Sequence, residues 1–408
     1  MALEITFRPR KRWPRWVAIG LLLATVTVVI FFWWTHKDNR PQIVKQQSTE
    51  QQSTPYITKL SSNLLFTGNV YWGRYINDWS QASDLKTAYP FSRLKEFNRD
   101  SYQTWIGGLE CPLVEGVNLT SAQEEATLSF NCSPDYLPEA AKWFDVFSLA
   151  NNHTDNQGID GFTETQQHLE KAGIQYFGHY DPRSLEDICE VIGIDVVATN
   201  SDATTSISKL PIALCGYHGV FRIPTEESLA IIERYSKIMP VVAMPHAGAE
   251  YKAEPDTLKT QLYRSMIDHG ADIVIGDHPH WIQTTESYKG RLIVYSMGNF
   301  IFDQQFNREV TRSAAIRTVL TATGDREALS AWTKLAESCL SYHDSCLEEA
   351  ERQSLSKLDI SYQYQAIGSS NQNRLAHPAD NQEQQEILQR LRWDQTMSQL
   401  KQPHSKLP

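Results

Sequence analysis

Short apolar runs that break off in a small polar cluster recur along this chain, and they limit its fold more than any other feature. Leu64-Leu65-Phe66, Trp105-Ile106, Val146-Phe147-Ser148-Leu149, Val241-Val242-Ala243-Met244, Ile273-Val274-Ile275 and Leu292-Ile293-Val294-Tyr295 have the length and composition of buried strands. At or near their ends stand Gly68-Asn69-Val70, Gly108-Leu109-Glu110, Asn151-Asn152-His153, His246-Ala247-Gly248, His278-Pro279-His280 and Gly298-Asn299-Phe300. Between the runs, Gly161 to Ala172 and Thr257 to His269 space apolar residues for helices, with Gly173 and Gly270 as stops. Strand and helix in alternation predict an α/β fold, and in such sheets the ligand crevice lies beyond the carboxyl ends of the strands.

A lone strand-end histidine is ordinary loop chemistry, and His218, His269 and His343 carry that plain reading. Clusters on several successive strands ask for more. Side chains rooted at strand ends can be held at the ~2 Å distances of metal coordination. Imidazole, carboxamide and carboxylate together suit Mn, Fe or Zn, whereas Ca prefers oxygen. The pattern therefore predicts a divalent transition metal, one or two ions.

The net charge is −10, with 38 Lys and Arg against 48 Asp and Glu. Residues 1 to 40 hold Arg8, Arg10, Lys11, Arg12, Arg15, Lys37 and Arg40 against Glu4 and Asp38, so the body beyond them is more acidic than the whole. Nucleic-acid binding, which neutralises phosphates with Lys and Arg, is an unsuitable function for such a body. From Trp16 to Trp34 the chain runs WVAIGLLLATVTVVIFFWW without a charge, close to the ~20 residues that a helix needs to cross a bilayer. Basic residues precede this run and Trp16, Trp33 and Trp34 flank it, the layout of a signal anchor with its start in the cytoplasm. The expected organisation is a cytoplasmic basic segment 1–15, a transmembrane anchor 16–34, a Gln-, Ser- and Thr-rich tether 35–57 and a folded body 58–408 outside the cytoplasmic membrane. A cleaved signal peptide shares the order basic, apolar, exit, but Thr35-His36-Lys37-Asp38 lacks the small residues of a cleavage site.

Six cysteines, Cys111, Cys132, Cys189, Cys215, Cys339 and Cys346, would then face an oxidising compartment where an even count favours pairing. Cys339 and Cys346 bracket a short segment and are the expected bridge. Cys189 and Cys215 have apolar neighbours that also suit unpaired core residues, and no CxxC spacing points to a zinc knuckle.

These residues resemble the CapA family of poly-γ-glutamate capsule synthesis proteins, related to calcineurin-like metallophosphoesterases. GNVYWGRY is similar to the family's GDvmlgR opening and GLECPL to its NLEgPl. FDVFSLANNHTDNQGIDGFTETQQHLEKAGIQYFG resembles its signature block, and GADIVIGDHPHWIQTTESYKGRLIVYSMGNFIFDQ its HPH and SLGNF block. The likeness runs from about Leu64 to Val319. It implies a four-layer α/β/β/α sandwich with two sheets face to face. It also implies that Glu110, Asn152, His246, His278 and His280 are metal ligands and that His153 is the proton donor beside them. Such a division has a chemical logic, since a divalent cation polarises a phosphoryl oxygen while an imidazole just outside its shell protonates the departing one. Arg74 and Glu250 fall in matching motifs and Asn299 in the SLGNF-like block, which makes them candidates for substrate contacts. A salt bridge is the competing use of Arg74.

Departures from the family pattern bear on activity. Asn69 stands where the family has Asp, Gly108 where it has Asn, His246-Ala247-Gly248 where it has HwG, and Asp277 precedes HPH. If Asn69 takes a bridging place between two ions, a neutral amide brings no charge to offset their repulsion. Glu110 is then the one anionic ligand of the matched set and a single ion is the expected occupancy, with Asp277 as a partial substitute that nothing in the sequence places. Two functions follow from the resemblance: assistance in the synthesis or export of an anionic polymer such as poly-γ-glutamate, alongside membrane proteins of that machinery, or hydrolysis of an envelope polymer by an active metallophosphoesterase. Beyond the likeness, Arg312 to Thr323 alternates like a strand and 325–358 reads as a helical insertion. Residues 366–385 read as loop, and Glu386 to Leu400 as one amphipathic helix.

Overall fold

The computed structural model describes residues 54–339 and 343–408. The segments expected to be cytoplasmic (1–15) and membrane-spanning (16–34), and the expected tether as far as residue 53, lie outside the described residues. Among the described residues no helix is long and apolar enough to cross a membrane. The body is α/β, as the alternation predicts.

Among the described residues fifteen strands carry the fold: β1 (Ile57–Val70), β2 (Thr104–Leu109), β3 (Val146–Ser148), β4 (Gln175–Phe177), β5 (Cys189–Asn200), β6 (Thr205–Gly219), β7 (Val241–Ala247), β8 (Ile273–Ile275), β9 (Thr285–Tyr288), β10 (Arg291–Val294), β11 (Asn299–Ile301), β12 (Arg312–Thr323), β13 (Asp359–Ser370), β14 (His377–Pro378) and β15 (His404–Lys406). Hydrogen bonds join them into one network in the order β14-β13-β12-β1-β5-β6-β7-β8-β10-β9, with β2, β3 and β4 branching from β1. The network forks at β1, which belongs to both the main path and the branch. Its first half pairs antiparallel with β5 and β12, while its second half pairs in parallel with β2 and β11.

The fork places β1 between two cores. Leu64 and Phe66 enter one core and Leu65 the other, the two-residue period of a strand buried on both faces. This explains an unbroken apolar run where a half-exposed strand would alternate. The first core joins Ile106, Val146 and Phe177 of the branch to Ile192, Ile212, Val242 and Val274 of the main path. The second packs Trp105 and Phe147, on the other face of the branch, with Phe162 and Leu169 of the helix Gly158–Ala172. That helix ends at Gly173, whose φ of +74° continues the chain where a side chain would be strained.

Parallel pairing of β1 with β2, β2 with β3, and β7 with β8 sends their carboxyl ends the same way within each set. At the end of β1, Asn69 N donates to the Gly298 carbonyl at 3.0 Å. A Cβ on Gly68 would lie 1.9 Å from that same oxygen, so glycine is what lets the GNV and GNF turns approach.

Three disulfides form: Cys111–Cys132, Cys189–Cys215 and Cys339–Cys346. Cys189 and Cys215 lie opposite each other in the β5–β6 register and are buried, so they serve the core and are also bonded. The expected Cys339–Cys346 bridge links the helices Arg326–Cys339 and His343–Arg352 of the insertion. Two late expectations need correction. Residues 366–370 continue β13 against β12 instead of forming a loop. The last helix starts earlier and is two, Asn381–Leu391 and Trp393–Gln399, broken at Arg392 with φ +54°.

Replacing Cys111 and Cys132 together by Ser should cost roughly 2–4 kcal/mol of unfolding free energy, measured as a lower thermal midpoint. Peptide mapping without reductant should recover the three pairings above and no others.

Candidate metal centre

The strand-end clusters converge in two adjoining groups. In the first, Asn69 at the end of β1, Glu110 after β2, His280 after β8 and Asn299 at the start of β11 meet in the interior, all four buried. His280 Nδ1 lies 2.8 Å from Asn299 Oδ1, an acceptor, so Nδ1 carries the proton and donates it there. Asn69 Nδ2 donates to the same oxygen at 3.2 Å. His280 Nε2 is left with its lone pair, 3.7 Å from Glu110 Oε1 and 3.9 Å from Oε1 of the partly exposed Glu250. A carboxamide that fixes the tautomer of an imidazole is the usual support of a metal-ligating histidine. Asn299 has this positioning contact, and its Nδ2 donates to Gln304 and to the Val310 carbonyl.

The second group comes from β7, β8 and the loop after β3. His246 Nε2 lies 2.9 Å from Asn152 Oδ1 and 3.2 Å from His278 Nδ1. Asn151 holds the Asn152 loop in place, its Oδ1 accepting from His153 N and Thr154 N while its Nδ2 donates to the Leu109 carbonyl. His278 and His280 have positive φ, +95° and +59°, a strained backbone that the surrounding strands must hold.

Both groups present lone pairs with too few protons between them. Both oxygens of Glu110, both of Asp277 and Oδ1 of Asn69 are buried and meet no side-chain donor among the described residues. Buried carboxylates of this kind are costly unless paired or bound to a cation. Burial, then the Asp277 and Glu250 carboxylates, pushes the Glu110 carboxyl well above the ordinary range. Burial does the same to Asp277, opposed by Lys259. Desolvation holds His280 down to about 4, so its ring is neutral and free to ligate. No three His, Cys, Asp or Glu side chains close on one point among the described residues; each group instead combines two of these with carboxamides. Glu110, Asn69 and His280 stand on one side and Asn152, His246 and His278 on the other, a mixture of carboxylate, carboxamide and imidazole of the kind that would suit a divalent transition metal.

His153 stands beside this set. Its ring stacks on Phe130 with centroids 4.1 Å apart, and Nδ1 lies 3.0 Å from Asn156 Oδ1. Burial lowers its pKa to about 4. Arg74 lies across the same phenyl ring, 4.5 Å from its centroid, and makes a two-pronged, buried ion pair with Asp303 at 2.8 and 2.7 Å. The salt bridge is therefore the use of Arg74 that the fold supplies, in the interior and not on the surface. Arg74 and Asp303 also line a cleft of about 670 Å³, with Trp79, Tyr251, Phe306 and Arg374. Tyr251 stacks over His280, centroids 5.7 Å apart, and so connects the cleft to the first group. Asp303, Tyr251 and Phe130 were not singled out by sequence reasoning, although Asp303 closes the matched GNFIFDQ block. His218 and His269 have the plain contacts expected of them, with the Tyr180 carbonyl and with Glu226.

The family described as bacterial capsule synthesis protein PGA_cap matches residues 63–304, more than half of the chain, a span that contains every donor named above. The chain belongs to this family. Among curated relatives it is 27% identical over 327 residues to the PGA biosynthesis protein CapA of Bacillus subtilis (strain 168), covering 77% of this chain and 79% of that one. It is 27% identical over 332 residues to the capsule biosynthesis protein CapA of Bacillus anthracis, covering 76% and 73%. Among solved structures, TT1561 of Thermus thermophilus is 10% identical, covering 62% of this chain and 93% of that one, at a TM-score of 0.33 that carries no argument about fold. In this PGA_cap protein, strands β12 to β15 and the helices among them lie beyond the matched span.

Asp303→Ala should strand the Arg74 guanidinium in the interior and cost about 3–5 kcal/mol in chemical denaturation, the penalty of breaking a buried pair. Asp303→Asn, which keeps the shape and one acceptor, should cost less.

Proposed function

We propose that this protein is anchored in the cytoplasmic membrane by Trp16–Trp34, with its folded body outside, and acts in the synthesis or export of poly-γ-glutamate or another anionic envelope polymer around a divalent metal centre. The observation that carries the metal part is the pair of adjoining donor groups with Glu110 unpartnered at their centre. Family membership carries the polymer part. Mn, Fe or Zn suits the mixture of imidazole, carboxamide and carboxylate, and when bound supplies Lewis-acid polarisation of a phosphoryl or carbonyl oxygen. The chain's own residues do the rest. Asn299 fixes the His280 tautomer, Asn151 sets the Asn152 loop, and the Arg74–Asp303 pair and Tyr251 shape the cleft through which a polymer segment reaches the centre. The four-layer sandwich is the arrangement this reading assumes, supported by a core shared between the β2–β4 branch and the β5–β8 path. The partners are the membrane, the anionic polymer and membrane proteins of its synthesis or export.

An active metallophosphoesterase is the second reading, and His153 favours it. Its Nδ1 is engaged by Asn156 and no hydrogen bond occupies its Nε2 among the described residues, so the neutral ring has a lone pair open to take a proton first and pass it on to a leaving oxygen afterwards.

Protease added to intact spheroplasts should digest the body of the full-length protein; protection of the body, or recovery of a soluble form starting near residue 36, overturns the anchor. His278→Ala and His280→Ala should each remove most of the bound transition metal, measured by elemental analysis, and His153→Ala should leave it nearly intact. In the hydrolase reading, His153→Ala also lowers phosphodiester turnover by about 10²- to 10⁴-fold. Wild type that is fully loaded and inert toward phosphodiesters leaves the polymer-assembly reading in place.

A further inference from the structure

Asp277 is the charged group at the centre that neither the matched ligand set nor the fold accounts for. It follows β8, next to His278, and its backbone is pinned against the end of β7. Asp277 N donates to the Pro245 carbonyl at 3.0 Å, and its own carbonyl accepts from Ala247 N at 3.3 Å. His246 and Asp277 are thus neighbours across a bridge. The carboxylate is buried and neither oxygen meets a side-chain donor among the described residues; the adjacent His278 backbone N–H and the charge of Lys259 are what ease it. Lys259, the nearby cation, is turned elsewhere, with Nζ donating to Gln283 Oε1 at 3.0 Å, and no ion pair joins it to Asp277.

The place to which this carboxylate extends is informative. A Cβ built on Gly108 would lie 3.3 Å from Asp277 Oδ2, so the acid occupies the space that a side chain at position 108 would take. Gly108 pairs with Asn69 in the β1–β2 register. It also precedes Glu110 by two residues, and alternation along a strand puts positions 108 and 110 on one face. Glu110 N donating to the Val70 carbonyl at 2.9 Å continues that ladder. An unpaired carboxylate therefore reaches from the β8 side onto the face of β1 and β2 where Asn69 and Glu110 stand.

Resting on the metal reading above, we infer that Asp277 is a metal-site carboxylate of this chain, reaching over Gly108 to supply the negative charge that Asn69 lacks. The two departures at 108 and 277 are then one change. Loss of a side chain at 108 opens the space, the acid at 277 fills it, and the carboxylate count at the centre is restored from the opposite side. The single-ion occupancy expected from Asn69 alone gives way to two.

The test is calorimetric titration of Zn²⁺ and Mn²⁺ into chelator-stripped, full-length protein in detergent, with thermal midpoints taken in chelator and in excess metal. Asp277→Asn should weaken one ion site by 10- to 100-fold or abolish it, and Asn69→Asp in that background should recover at least tenfold. In chelator the variant should melt no lower than wild type, because a buried carboxyl without a side-chain partner has been replaced by a neutral amide of the same shape, while the metal-induced upshift shrinks. Unchanged affinity and stoichiometry in Asp277→Asn overturns the inference and leaves the metal reading intact. A lower midpoint in chelator with an unchanged metal-induced shift also overturns it, making Asp277 a structural partner of Lys259. Wild type that takes up neither ion overturns the metal reading and this inference together.

Discussion

Strand β1 is held in common by every part of the molecule that matters to the centre. Its early residues are hydrogen-bonded into β5 and β12, its late residues into β2 and β11, and its side chains alternate between two cores. Asn69 sits where these ladders converge, so it cannot shift without carrying Gly298 and Gly108 along. Donors from β1, β2 and the loop after β8 are thereby fixed to one another by backbone bonds, and side-chain packing has only their rotamers left to settle. Strand-end ligands gain their precision in this way.

Electrostatics at the centre has an unusual balance. The interior collects Glu110, Asp277 and several imidazoles, while the nearest cations of the chain are engaged elsewhere, Arg74 by Asp303 and Lys259 by Gln283. Lys259 is itself buried and its charge eases Asp277 without an ion pair, while Arg74 is taken up by Asp303, so the acids of the interior are only partly offset by the chain's own cations.

Much of this was legible in the sequence, and the reason is burial. Runs such as Leu64 to Phe66 and Ile273 to Ile275 are apolar without alternation because both faces of the strand are covered, and β12 keeps the bounds Arg312 to Thr323 that its pattern marks. The β5–β6 hairpin escaped notice because its outer end, Thr205 to Ile207, is exposed and reads as polar loop. The break at Arg392 is invisible because the apolar spacing continues through it. At the site, residue types and strand ends could be read, but adjacency could not. That Asp303 claims Arg74 across 229 positions, or that Asp277 lies against Gly108, is a property of strand order, which no local pattern encodes.

The Cys111–Cys132 bridge ties two things together that the donor list keeps apart. Cys111 follows Glu110 directly, and Cys132 stands two residues after Phe130, the ring that lies between His153 and Arg74. One covalent link therefore spans from the central carboxylate to the platform beneath the imidazole. Where thiols are kept reduced, that link is missing and the two sides are joined by packing alone; in an oxidising compartment it closes. The geometry that relates Glu110 to the ring under His153 thus depends on a bond that only oxidation closes.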